Sequence, residues 1–296
     1  MLFLDSFCRK LGASTNFSKK YRRLKIHLAD VTQLRFRQLT LMAVSQRLHF
    51  AARYALRHLL LSILIALASA VVVFGLWYPG PYRQMLDVGH IYLVVLAVDV
   101  VCGPLLTLVL ASPCKHRRER WLDFSLIGLI QLAALAYGMH SVWLARPVAL
   151  VFEVDRLVVV TANEINTDAL PLAPTGLRQL PWIGVLKVGT RRAANNDEFM
   201  RSVEQGLAGI SLAVQPDWWQ PWSEAGAAMR ERTKPLDELI ARKPAAALRL
   251  QSAVKAAGRP VSELRYLPLV SSKTLDWVVL LDEQLEMVGW APVDGF

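Results

Sequence analysis

The sequence predicts a membrane protein, a three-helix α-helical transmembrane bundle followed by a C-terminal α+β extracytoplasmic domain. Three observations carry this reading. The chain of 296 residues is 54% hydrophobic, above the share usual for a soluble domain. Three apolar runs are each long enough to cross about 30 Å of hydrocarbon, which takes roughly 20 helical residues. Beyond the third run the pattern changes to β-branched stretches alternating with proline-led segments, the signature of strands and short helices.

The first run, "LLLSILIALASAVVVFGLW", covers Leu59–Trp77 without a charge; the second covers about 91–112 and contains Asp99; the third covers 122–144 with Gln131 near its centre. Trp77, Tyr78, Tyr82, Tyr92, Trp121 and Trp143 stand at the ends of these runs, where interfacial aromatics belong. A cleavable signal peptide is the rival for the first run, because Ala68-Ser69-Ala70 resembles a cleavage site. The run continues to Trp77, however, and the 58 residues before it exceed any n-region, so a retained span is expected.

Net charge is +10 and unevenly placed: residues 1–58 hold twelve Lys/Arg against two acids, and residues 147–296 hold sixteen against eighteen. The loop between the second and third runs carries Lys115, Arg117, Arg118 and Arg120, whereas the first loop has only Arg83. By the positive-inside rule the basic tail 1–58 and the second loop are cytoplasmic. Three spans then put the domain 147–296 in the bacterial periplasm, below which the bundle 59–145 occupies the inner membrane. The basicity matches topology and lipid headgroups, and without a basic motif interleaved with aromatics no nucleic acid is expected. Met42 opens a compact basic flank to the first span, so residues 1–41 read either as a start-site extension or as a genuine cytoplasmic tail.

In the last 150 residues, "PVALVFEVDRLVVVTA" (147–162) predicts a strand or bent strand pair, and "WIGVLKV" (182–188) a second strand. A helix is predicted from Asn195, which supplies an N-cap, and short helices open at Pro221, Pro235 and Pro244. "RYLPLVS" precedes a hairpin that turns at Asp282–Gln284. "PDWWQPW" (216–222) reads as an exposed aromatic loop, with Trp218, Trp219 and Trp222 as a candidate periplasmic interface or, alternatively, a buried corner.

Asp99 is the sharpest candidate, since a carboxylate inside a span is costly and marks packing or function. It lies about nine residues, roughly 13 Å, inside the outer end of its run. Gln131 enters its own run to a similar depth from the other side. The two are expected to hydrogen-bond across the bundle. Gly103 and Pro104 follow Asp99; Pro104 lacks an N–H and strikes the Val100 carbonyl, so the helix is expected to kink near Asp99, with Thr107 or a neighbouring helix serving the freed carbonyl. Asp99 serves internal packing, or contacts a partner helix, or relays protons; a single titratable group makes the last the weakest reading. Small residues spaced by four, Ala66/Ala70 and Ala134/Gly138, permit close helix approach.

All three cysteines and all six histidines precede residue 147. The C-terminal half therefore holds no Cys/His dyad, Ser-His-Asp triad or ordinary zinc site. Phosphate loops, HExxH and GxSxG are absent. No catalytic residue, cofactor or metal is expected.

Four stretches together, "FGLWYPGPYRQM" (74–85), "VDVVCGPLLTLVL" (98–110), "LIQLAALAYGMHSVWLARPVALVFEVDRLVVV" (129–160) and "LDWVVLLDEQLEMVGW" (275–290), resemble the type IV pilin accessory protein family, TfpX/TfpZ. The resemblance covers residues 45–296; Cys102 and the long tail depart from it. It implies a non-enzymatic inner-membrane chaperone that binds the major pilin in the bilayer and promotes its stability or pilus assembly, with no catalytic residues to carry over. A membrane-anchored periplasmic sensor or ligand-binding protein is the first alternative, disfavoured by the lack of an output domain. An envelope membrane enzyme is the second.

Overall fold

A computed structural model of the chain describes residues 44–296 apart from Cys114; most of the basic tail, and Met42 with it, lies outside the described residues. Three helices are long and apolar enough to cross a membrane: α1 (Val44–Trp77), α2 (Val88–Leu110) and α3 (Arg117–Leu144). α1 and α3 begin in basic flanks ahead of their apolar runs, and α2 begins just before its run and ends two residues before the run does. A seven-residue π-helical stretch, Val71–Trp77, ends α1, closed by the Tyr78 amide donating to the Val73 carbonyl at 2.9 Å. A shorter one, Val98–Cys102, interrupts α2. A single helical turn, Tyr82–Met85, joins α1 to α2.

The chain continues from α3 into β1 (Pro147–Glu153) and β2 (Arg156–Thr161), the bent pair expected from the sequence, turning through Val154 at φ 58°. β3 spans Leu186–Thr190, four residues later than the predicted strand. Gly184, at φ +78°, breaks the extended run and leaves Trp182 and Ile183 in the preceding loop. α4 is Asn196–Leu207, capped by the Asn195 side chain. β4 (Trp219–Pro221) leads into α5 (Trp222–Arg232), and β5 (Lys234–Pro235) into α6 (Leu236–Arg242). α7 is Ala247–Ala257, with Pro244 opening the 3₁₀ turn before it. β6 (Arg265–Ser271), β7 (Trp277–Leu281) and β8 (Met287–Ala291) complete the chain. The last hairpin turns from Asp282, whose Oδ1 accepts from the amides of Gln284 and Glu286 at 3.0 and 2.9 Å.

The strands form one mixed sheet in the order β4-β3-β1-β2-β6-β7-β8, with β5 on β6. β1–β3 and β2–β6 pair in parallel and the others antiparallel. Alternate residues point to opposite faces of a strand, and here both faces are covered. Leu150, Phe152, Leu267, Leu269, Val279 and Leu281 enter one core, whereas Val148, Val151, Tyr266, Val278 and Leu280 enter cores on the other face. This accounts for strands that read as nearly continuous apolar runs.

The described residues fall into two compact units. The first takes the described part of Met1–Leu60 with Cys102–Gly128; the second takes Leu61–Val101 with Leu129–Phe296. Within the second unit, Val73, Tyr78, Met85, Leu86, Val88, Tyr92 and Val142 share a core with the sheet residues Leu150, Phe152, Leu157 and Val279. The α+β part is therefore packed directly on its own helix ends rather than carried on a linker.

Candidate functional sites in the helices and the sheet domain

Asp99 is 8% exposed and lies within the π-helical stretch of α2. Gln131 does reach it, but by a different atom from the one the sequence suggests. Gln131 Nε2 donates to the Asp99 backbone carbonyl at 2.9 Å, and the carboxylate Oδ1 is buried without a hydrogen-bond partner. The reason lies in the helix register. In an i→i+5 register the amide that would serve this carbonyl belongs to residue 104, a proline with no N–H. The Gln131 amide takes its place, and the Asp99 carboxylate is left over.

Polar and small side chains also join the second unit's helices. Tyr92 OH donates to the Ala66 carbonyl and pairs with Ser69 Oγ, both at 2.6 Å. Tyr78 OH donates to the Val142 carbonyl at 2.9 Å, and burial pushes this phenol's pKa well up, against the pull of the Arg146 charge. Tyr78 and Tyr92 are thus buried ties between segments, which corrects their assignment as interfacial aromatics. Gly138 lies so close to α2 that a Cβ on it would meet Val95 Cγ1 at 2.6 Å.

Gly103 and Pro104 belong to the first unit, at the start of the regular helix Gly103–Leu110, with Gly103 and Thr107 buried. Thr107 Oγ1 pairs with His58 Nδ1 at 2.6 Å. Of the two partners expected for a carbonyl freed by Pro104, Thr107 is thus engaged elsewhere and the neighbouring helix supplies the donor, through Gln131. His58 escaped the sequence reading because it belongs to a basic flank. Its signal is a ring that continues the helical face of the apolar run towards the next helix.

Arg146 is a second residue that the sequence leaves unmarked. It is 6% exposed, its guanidinium lies 3.3 Å from the centroid of the Trp143 ring, and it donates to the carbonyls of Trp143 (2.9 Å) and Pro181 (3.2 Å). Burial lowers its pKa.

The aromatic stretch 216–222 is a buried corner. Trp218 and Trp219 are 1% and 0% exposed, and Trp219 Nε1 donates to the Ala213 carbonyl at 2.9 Å; the exposed-loop reading is overturned for both. Trp222, half-buried, packs against the core that the sheet shares with the helix ends. Arg191 and Arg201 lie over the Trp218 ring at 4.9 and 5.3 Å. Arg191 also forks onto both carboxylate oxygens of Glu198 at 2.7 and 3.1 Å. That hydrogen bond pulls the Glu198 pKa down to about 2. A cleft of about 660 Å³ opens beside this corner, lined by Arg191, Phe199, Trp218 and Arg232 among others. Among the described residues no group of three or more His, Cys, Asp or Glu could hold a metal ion.

These features define a class: a protein of three long apolar helices tied by buried polar groups and sharing a core with a mixed-sheet domain, in which the singular residues pack and hydrogen-bond. Residues 46–87 match the family described as "Fimbrial assembly protein FimB". The chain is 36% identical over 252 residues, 85% of its length and 98% of the relative's, to "Fimbrial assembly protein, serogroup I" of Dichelobacter nodosus. It is equally similar to the serogroup E1 protein of that organism, and 44% identical over 128 residues, 43% of this chain and 98% of the relative, to that of serogroups C1 and C2. No solved structure matches. The chain belongs to the fimbrial assembly protein family, in agreement with its resemblance to type IV pilin accessory proteins.

Proposed function

We propose that this chain is a non-enzymatic accessory protein of the inner membrane that binds a type IV pilin and promotes its stability or its assembly into pili. One observation carries the reading: a chain of the fimbrial assembly family joins three helices of membrane-crossing length to a mixed-sheet domain through a shared core. A pilin awaiting assembly is held in the membrane by a hydrophobic helix with its head outside. A helper for it needs helices to meet the first and a folded domain to meet the second. The basic second loop supports a cytoplasmic N-terminal side and a periplasmic sheet domain. The unpartnered Asp99 Oδ1 is the candidate contact for a polar group on the client's helix, since a lone buried carboxylate costs free energy until it is paired. Trp222 and the cleft beside Trp218 are the candidate contacts for its head.

The test is crosslinking in cells from cysteines placed along α2, with pilin as the expected product and pilus number measured in parallel. Loss of the gene is expected to lower pilus number and cellular pilin together. Normal piliation in its absence overturns the reading.

A further inference from the structure

The loop between β2 and β3 ends in two apolar side chains that nothing in the fold covers, Trp182 at 77% and Ile183 at 64% exposure. They are also held in place. The Trp182 ring packs at a tilt against Trp143, in the last turn of α3, with centroids 5.1 Å apart, and Trp143 meets Trp77, the last residue of α1, edge-on at 5.0 Å. Arg146 fixes the arrangement by donating to the Trp143 and Pro181 carbonyls while lying over the Trp143 ring. Three indoles thus form a row that begins at the ends of two membrane-length helices and finishes on the sheet domain. The loop's stem is tied to the same place, since the amides of Ala162 and Asn163 donate to the carbonyls of Arg146 and Leu144, both at 2.9 Å.

Tryptophan at the end of an apolar helix seats at the headgroup level, where its ring is apolar and its N–H is wet. A third tryptophan packed against one of that pair shares its depth to within a ring's width. We infer that Trp182 and Ile183 form a membrane-interface anchor, by which the sheet domain rests on the outer leaflet of the bilayer that its own helices cross. The occupant is lipid, because the patch continues the helix-end aromatics. Arg146 is its positioning residue, buried and so unable to serve as a headgroup ligand itself. The consequence is orientation: the sheet domain has one fixed face to the membrane, and a membrane-held client would meet it in one pose.

This inference rests on the membrane reading proposed above, and the experiment separates the two. Cys8, Cys102 and Cys114 are replaced by serine, and a spin label is placed in turn at Ile183, at Leu93 on α2 (60% exposed) and at Leu248 on α7 (80% exposed). α7 packs on the sheet face opposite the helix ends. The full chain is reconstituted into vesicles of phosphatidylethanolamine and phosphatidylglycerol, and label collisions with oxygen and with a water-soluble nickel chelate are measured. Position 183 is expected to favour oxygen several-fold over position 248 while falling short of position 93. The same ratio at 183 as at 248, with 93 in lipid, overturns the anchor and leaves the membrane reading standing. Shielding of 183 from both reagents also overturns it, since that signifies protein cover. Nickel access at 93 overturns the membrane reading and the anchor with it. In an Arg146→Gln background the label at 183 is expected to shift towards water while that at 93 stays in lipid.

Discussion

In the sheet domain large apolar side chains such as Trp219, Leu236, Leu239, Val278 and Leu280 are removed from solvent, whereas along the three long helices Ser62, Asp99 and Thr107 are buried as well as Val73, Tyr92 and Val142, while Leu64, Leu93, Leu122 and Leu129 stand exposed. The two regions sort residues differently, since the helices leave many large apolar side chains exposed. Water rewards the first arrangement. Under the membrane reading proposed above, an apolar solvent removes that reward, so helices are joined by close packing and by hydrogen bonds. The helices use both: Gly138 against Val95, Tyr92 and Ser69 on Ala66, and His58 with Thr107. Under that reading the difference teaches that a single chain carries two stability regimes, which meet where the ends of α1, α2 and α3 join the sheet's core.

The largest effect is expected where the water regime is purest. Trp219 has no exposed surface, and its indole N–H is bonded to the Ala213 carbonyl. Trp219→Ala removes a large ring and leaves an acceptor unpaired, so a loss of about 3–5 kcal/mol is expected. Thermal unfolding of the purified protein in detergent, followed by near-ultraviolet circular dichroism, measures it. An unchanged transition would break the comparison, because core burial would then not be what holds the domain.

The next test addresses the other regime. Gly138→Val drives a branched side chain into Val95, where even a Cβ lies within 2.6 Å of Cγ1, and overpacking of this kind costs about 1–3 kcal/mol. Gly128→Val, on the same helix α3 with no atom within 4 Å of its Cβ position, is the control and is expected to be near neutral. Equal effects from the two substitutions would show that close packing of these helices contributes nothing.

A smaller effect of opposite sign sharpens the role of Asp99. Gln131 holds the residue's backbone carbonyl, and any side chain at 99 keeps that bond. Asp99→Leu then removes a carboxylate whose Oδ1 is buried without a partner, and a gain of about 1 kcal/mol is expected. Under the proposed function, pilin recovered by co-purification falls with Asp99→Leu and is retained with Asp99→Asn. Destabilisation by Leu would instead mean that the carboxylate is bound within its own helices.

The apolar runs, the mixed helix-and-strand character of the C-terminal region and the hairpin at Asp282 were legible because each rests on a local pattern: length, alternation or turn chemistry. So were the positions of Asp99 and Gln131 at matched depth. What was not legible depends on contacts distant in sequence. β4 and β5 are only three and two residues long and exist because β3 and β6 offer edges. The fates of Trp218 and Trp219 turned on Arg191 and Ala213. That Gln131 binds a carbonyl rather than the carboxylate follows from a π-helical register that no spacing rule announces, although Pro104 supplied its cause in plain sight.

The smallest expected effect lies on the sheet domain's surface and concerns pH. The Arg191 hydrogen bond holds the Glu198 pKa at about 2, below its ordinary 4.5. A carboxylate depressed by folding binds fewer protons in the native state than in the unfolded one, so its contribution is complete above the unfolded value and is lost as pH falls through the folded one. Stability of the wild-type protein is therefore expected to decline between about pH 5 and pH 2 with a component that Glu198→Gln removes. The pair is only partly shielded from solvent, and water screening weakens such pairs, so the comparison is of slopes in acid rather than of midpoints at neutral pH. The substitution also frees Arg191, which lies over Trp218. A Trp218 fluorescence change at neutral pH with an unaltered acid slope would show that Glu198 acts by positioning that guanidinium and not by its charge.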